Sequence, residues 1–309
     1  GTDISLFDRR LNFTFDIYLK KTTDLVLDAS RAPSTGTTSA KENIGEMENK
    51  GLEFQVDGML VQRNDFYWQV AATGSMNRNR ILKINSALKK ANEDANKVDS
   101  KTPLAQYEEG ESTTALKVVK SAGIDPATGQ EVFIKLNGER TFEYSADDKF
   151  VIGDTEPRFR GTVSTNLFYK GFSLYLLGRY ECGAYLYNET RATKVEGANP
   201  KKNADKRVFD SRWKSPGDIA FYKDIADSDG WGTNPKHSDR FVEKENVFTL
   251  GTVNFGYEFG QNICSKIGVR NLRVGVNLTD IVRWSNVKIE RGTTYLYSNG
   301  FEFTLSTTF

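Results

Sequence analysis

The chain has 309 residues, with 42 Lys and Arg against 41 Asp and Glu and a formal net charge of +1, so it lacks the basic excess of a nucleic-acid binder. Mean hydropathy is low (−0.53), yet Phe, Trp and Tyr make up 12%. No stretch approaches the roughly 20 apolar residues of a transmembrane helix. Two cysteines and one histidine argue against a disulfide framework or a histidine-rich metal site.

Strict alternation of apolar and polar residues recurs along the chain, and a period of two places alternate side chains on opposite faces of a strand. The first run sets Leu11, Phe13, Phe15, Ile17 and Leu19 against Asn12, Thr14, Asp16, Tyr18 and Lys20. The second carries Leu52, Phe54, Val56 and Leu60, and the third Phe66, Trp68, Val70 and Ala72. The fourth runs from Phe159 to Tyr169 and the fifth from Phe172 to Glu181. The sixth carries Val247, Val253, Phe255, Tyr257 and Phe259, and the seventh Leu272, Val274, Val276 and Leu278. The eighth is the chain ending, from Phe301 to the terminal Phe309. Most of these eight strands are about 10 residues long, the length that crosses a bilayer when tilted by about 45°.

Short and long connections alternate. "VQRNDF", "YKGF" and a segment around "GQNICSKIGVRN" are short. The others run to about 25 residues after strand one, over 70 after strand three, over 50 after strand five and about 20 after strand seven. Outer-membrane barrels connect strands this way, with short periplasmic turns and long extracellular loops. Rings near the short turns (Phe66, Trp68, Tyr169, Phe172, Tyr257, Phe259) suit an interfacial girdle. A soluble β-sandwich also alternates, but its apolar face packs on a second sheet and rarely tolerates gaps of this length.

The expected fold is therefore all-β, a transmembrane antiparallel β-barrel. Its apolar stripe, with Ile17, Val56 and Val276, faces lipid. The polar stripe, with Asn12, Glu53, Asp57, Arg160, Arg179 and Arg273, faces a wet lumen. Lipid supplies no hydrogen bonds to the backbone, so such a sheet must close on itself. Small residues on the inward side (Ser164, Ser173, Gly275, Ser306) suit a wide barrel better than a filled narrow one.

Several segments, in order, resemble the C-terminal part of SusC/RagA-type TonB-dependent transporters of Bacteroidetes. They are "NIGEMENKGLEF" (Asn43–Phe54), "AGIDPATGQEVF" (Ala122–Phe133), "GDTEPRFRGTVSTNLFYKGFSL" (Gly153–Leu174), "RWKSPGD" (Arg212–Asp218), "SDRFVEKENVFTLGTVNFGYEF" (Ser238–Phe259) and "LRVGVNLTDIVRW" (Leu272–Trp284). The resemblance implies a 22-stranded barrel around an N-terminal plug. Residues 1–309 would supply its last eight strands, with the plug and the TonB-binding segment absent from this chain. It also implies a bacterial outer-membrane location and TonB-driven import of oligosaccharides or oligopeptides beneath a SusD-like lipoprotein. The barrel would use no cofactor and have no enzymatic activity. The alternative is a stand-alone eight-stranded barrel acting as anchor or adhesin. "TTYLYSNGFEF" departs from the family, which more often has a proline before the last strand, and leaves the shape of the last long loop open. A terminal aromatic on an alternating strand is common in such proteins and places Phe309 at the periplasmic interface. The last strand then runs inward, which puts every long connection outside the cell.

Substrate contact falls to loop aromatics. Tyr185, Tyr187, Tyr222 and Trp231 are the candidates for stacking on sugars or contacting peptides, or else they pack the loops. Asp224, Asp227 and Asp229 before Gly230 form a weak calcium candidate, since the run lacks the distal glutamate of an EF-hand. His237 reads as a solvated loop residue, because no Ser/His/Asp set assembles around it. Cys182 and Cys264 should be on the order of 25 Å apart and hence free. Ile84–Lys101 is either a short exposed helix or a flexible loop.

Overall fold

The computed structural model describes residues 1–30, 39–98, 102–199, 203–225, 236–288 and 298–309. Among them, nine strands form one antiparallel sheet. They are β1 (Thr2–Leu6), β2 (Leu11–Ser30), β3 (Ser39–Arg63), β4 (Phe66–Ile84), β9 (Phe159–Tyr169), β10 (Phe172–Tyr187), β11 (Val242–Glu258), β12 (Asn271–Ser285) and β13 (Gly300–Thr308), neighbouring in that order. A second sheet, in the order β7 (Arg140–Thr141), β6 (Glu131–Ile134), β5 (Ala115–Ile124), β8 (Lys149–Asp154), lies entirely within the connection between β4 and β9.

Two features depart from the sequence reading. The large sheet gains β1, whose five residues are too few for a periodic signal, and it has nine strands instead of eight. Several strands also run far past a bilayer's needs: β3 has 25 residues and β11 has 17. Their outer portions are polar, so apolar alternation stops before the hydrogen-bonded ladder does.

Register unites the apolar residues on one face. Ile4, Phe13, Val56, Ala72, Val163 and Gly178 are successive cross-strand partners. So are Leu174, Phe255, Val276 and Phe303. The opposite face carries Ser5, Asn12, Asp57, Ala71, Ser164 and Leu177 in one row and Asp16, Glu53, Ser75, Arg160 and Glu181 in another. Ile17 is 72% exposed and Val56 and Val276 are half-buried, so among the described residues the apolar face packs against no second layer. Exposed apolar side chains on one face and exposed charges on the other are the reverse of a soluble sandwich.

The apolar face also satisfies its few polar atoms. Trp68 Nε1 donates to Thr165 Oγ1 at 2.9 Å, and Tyr180 Oη donates to the Thr73 carbonyl at 2.7 Å. The Tyr180 ring crosses Gly161 and the Phe54 ring covers Gly74, positions where any Cβ would collide. At the short-turn end, Phe66 meets Tyr169 at 6.0 Å between ring centroids, and Tyr257 meets both Phe172 and Phe259 at 4.5 and 4.9 Å. Lys170 and Gly171, both at positive φ, close the β9–β10 hairpin in the two-residue manner that matches strand twist.

The polar face is threaded by hydrogen bonds. Asn12 Nδ2 donates to Asp57 Oδ2 at 2.8 Å, Thr73 and Thr162 share a bond of 2.8 Å, and Arg179 pairs with Asp280 at 3.0 Å.

Candidate functional site

At the long-loop end, the β4–β9 and β10–β11 connections fold against each other. Helix α1 (Ser86–Lys97) begins where Asn85 Oδ1 accepts from the Leu88 amide at 2.9 Å. Leu88 packs on Ile81 and Ile84, with Tyr107 alongside, so the helical alternative holds for most of the Ile84–Lys101 segment. In the second connection, Ala192, Val195, Tyr222 and Phe241 form a small core.

A buried ionic group joins the two connections. Arg240 Nη2 lies 2.6 Å from Glu131 Oε2 in β6, and its Nη1 lies 2.8 Å from Glu196 Oε2 at the end of the helical turn that follows β10; all three side chains are nearly solvent-free. The same guanidinium donates to the Phe221 carbonyl at 2.6 Å. Burial opposes its charge, but the two carboxylates outweigh burial and raise its pKa. Arg212, also buried, donates to the carbonyls of Val208, Val195, Glu196 and Lys223. Backbone contacts complete the seam: the Val119 amide donates to the His237 carbonyl at 2.9 Å and the Ser121 amide to Asp239 Oδ1 at 2.9 Å.

These contacts place the aromatic candidates. Tyr222 is buried in the small core, where its hydroxyl accepts from Arg191 Nε at 3.2 Å. Tyr187 packs edge-on against His237 and Phe241, at 5.6 and 5.9 Å between ring centroids. Tyr185 lies across Gly153 in β8. Trp231 falls outside the described residues, as do Asp227 and Asp229. Asp224 is described, and its amide donates to the Gly129 carbonyl at 3.0 Å. Tyr185 and Tyr187 lie at the end of β10 and not in a loop, because the strand's ladder continues past its apolar alternation; the structure brings Tyr187 and Tyr222 to one cluster and turns the Tyr185 ring elsewhere, against β8.

His237 is not solvated, as the sequence suggested, but 9% exposed. Its backbone joins β5 through Val119, and that long-range pairing turns its ring inward against Tyr187. Cys182 and Cys264 are both free. Cys264 is buried in α2 (Gln261–Lys266), where its thiol donates to the Phe259 carbonyl.

A polar pocket of about 350 Å³ opens between α1 and this seam, lined among others by Asn96, Lys97, Tyr144, Lys149, Lys236 and His237. Lys149 Nζ donates to Asn96 Oδ1 at 2.9 Å, and burial followed by the nearby Lys117 lowers its pKa. Burial pushes the Tyr144 phenol up to about 12, and Lys236 stands 5.6 Å over its ring. The pocket offers hydrogen-bond donors and a ring face, which suit recognition of a polar ligand. Sequence reading missed Arg240, Glu131, Glu196, Arg212 and Lys149. Arg240, Glu131 and Arg212 lie in segments used for the resemblance and Lys149 just before one, Glu196 lies outside them all, and no periodicity marks any of these residues.

No family model matches the chain. It aligns with the TonB-dependent receptor P3 of Formosa agariphila at 28% identity over 304 residues, covering 93% of this chain and 29% of that protein. The receptor P39 of the same organism is 23% identical and is covered to 31%. The TonB-dependent receptor SusC of Bacteroides thetaiotaomicron is 31% identical over 86 residues. The chain thus spans about 30% of the length of the P3 and P39 receptors. A chain of the RagAB peptide transporter superposes with a TM-score of 0.74 at 21% identity, covering 92% of this chain and 31% of that one. The open-open state of the same importer gives 0.76 at 20% identity, covering 99% of this chain and 33% of that one.

Proposed function

From a chain that is a homologue of TonB-dependent receptors of the SusC and RagA type, and that folds as part of an outer-membrane β-barrel, we propose a role in TonB-dependent active import of oligosaccharides or oligopeptides. The single observation that carries this reading is the alignment with such receptors over 93% of the chain. The apolar outward face and hydrogen-bonded polar inward face support it physically.

In this reading residues 1–309 form the C-terminal portion of the barrel. Other parts of the full protein provide the plug and the segment that meets TonB, and energy enters there. The barrel wall is a passive frame. The folded loops stand outside the cell, where a SusD-like lipoprotein closes over them. Tyr185 and Trp231 are the candidates for direct substrate contact, while Tyr187 and Tyr222 pack the loop core. The linear order of the large sheet, with β1 and β13 at opposite edges, supports a large barrel over a self-contained eight-stranded anchor.

Deleting the full-length gene tests the reading. Cells lacking it should lose uptake of one class, fluorescent oligosaccharides or fluorescent oligopeptides, and loss of TonB should have the same effect. Unchanged uptake of both classes would refute it.

A further inference from the structure

On the outward face, the rows beyond Phe15 and Phe54 change character in an informative order. Ile17, Leu52 and Met76 are cross-strand partners, Leu19, Lys50 and Arg78 form the next row, and Lys21 and Glu48 begin the one after, with Arg80 opposite Glu48. Across the first two rows lies a shallow, open groove of about 510 Å³, lined among others by Ile17, Leu19, Leu52 and Met76 together with Lys50 and Arg78. Leu19 is 64% exposed and Met76 47%, so the groove opens to whatever surrounds the barrel.

The two charged rows obey different logic. In the outermost, Lys21, Glu48 and Arg80 alternate in sign. In the inner one, Lys50 stands directly opposite Arg78, and like charges directly opposite destabilise a strand pair. Lys50 reaches Glu48 along its own strand at 2.8 Å, and no carboxylate lies within ion-pair distance of Arg78 among the described residues. Two cations thus border an apolar groove on a face that meets lipid. A partner of matching chemistry joins an anionic head to a hydrocarbon body. Guanidinium binds phosphate in a bidentate manner and ammonium binds it as a point charge.

We propose that the groove across β2, β3 and β4 holds a phosphate-bearing lipid. An acyl chain lies along Ile17, Leu52 and Met76, and the phosphate sits between Lys50 and Arg78. Inorganic phosphate alone would leave the groove unfilled. The inference rests on the outward face meeting lipid, but not on which nutrient is carried.

The test uses the full-length transporter, delipidated in detergent and titrated separately with diphosphoryl lipid A, its dephosphorylated analogue and inorganic phosphate. Native mass spectrometry reads bound lipid and thermal shift reads stabilisation. Wild type should retain lipid A, and K50Q/R78Q should weaken it by about tenfold or more. Met76→Asn, which leaves both cations, should weaken it as well. The dephosphorylated analogue should bind wild type as weakly as lipid A binds K50Q/R78Q, and inorganic phosphate should give no shift. Equal retention by wild type and K50Q/R78Q, equal binding of the dephosphorylated lipid, or a matching shift from inorganic phosphate would overturn the proposal. A fast-migrating unheated band on SDS gels reports an intact barrel in each variant. Its absence from wild type would instead refute the barrel reading.

Discussion

In the large sheet, strongly apolar side chains are among the most exposed: Ile17 is 72%, Phe303 73% and Leu305 72% accessible. In the loop assembly at its end, Phe241, Val118 and Val119 are wholly buried, and the charged side chains of Arg240, Glu131 and Glu196 are nearly so. One region presents its hydrocarbon outward because its solvent is lipid. The other stands in water and hides its hydrocarbon as a soluble domain does, but its apolar core is small. It therefore joins its halves with a buried ionic group and with arginines that satisfy loop carbonyls. The sheet needs neither device, since its backbone is satisfied by neighbouring strands.

Breaking the ionic group should separate the two regions most sharply. Arg240→Leu leaves Glu131 and Glu196 buried without their cation, a loss of about 3–5 kcal/mol by comparison with other broken buried pairs. Amide exchange should show residues 115–154, 188–199, 203–225 and 236–241 losing protection while the unheated barrel band on SDS gels is unchanged. The triple change E131Q/E196Q/R240M, which removes the charges together, should recover much of that protection. Loss of the barrel band with R240L would show that the sheet depends on its loops.

The reverse experiment strikes the sheet. A Cβ at Gly161 would collide with the Thr73 carbonyl and the Tyr180 hydroxyl. Gly161→Val should cost about 1–3 kcal/mol, the usual range for overpacking. The temperature at which the fast-migrating band disappears should fall, with the loop assembly's protease resistance intact below that point.

The smallest effect concerns pH. The Arg207 guanidinium, helped by the Arg207 amide, holds the Asp205 carboxyl down to about 2. Its folded pKa lies below the ordinary 3.8, so the stabilisation is complete above 3.8 and fades as pH falls towards 2. Exchange of amides in the Lys206–Phe209 turn should rise relative to the sheet across that window, and D205N should flatten the dependence.

Much of the sheet was legible because period-two alternation is local: each residue from Leu11 to Leu19 declares its face by parity alone. The alternation of short and long connections was equally plain. β1 escaped because five residues carry too little periodicity, and the outer half of β3 because its face residues become polar where water replaces lipid. The candidate site was less legible. Tyr185, Tyr187 and Tyr222 could be named as aromatic, but their different burial depends on what packs over them. His237 looked like any polar-loop residue until its backbone paired with Val119.

By itself the amino-acid sequence determined which side chains meet hydrocarbon and which meet water, because a strand's two faces follow from residue parity. Only the tertiary structure decided that Arg240 lies between Glu131 and Glu196, and that Lys50 stands opposite Arg78. Those juxtapositions come from loop closure and strand register, which bring together residues separated in the chain, and no local pattern encodes them.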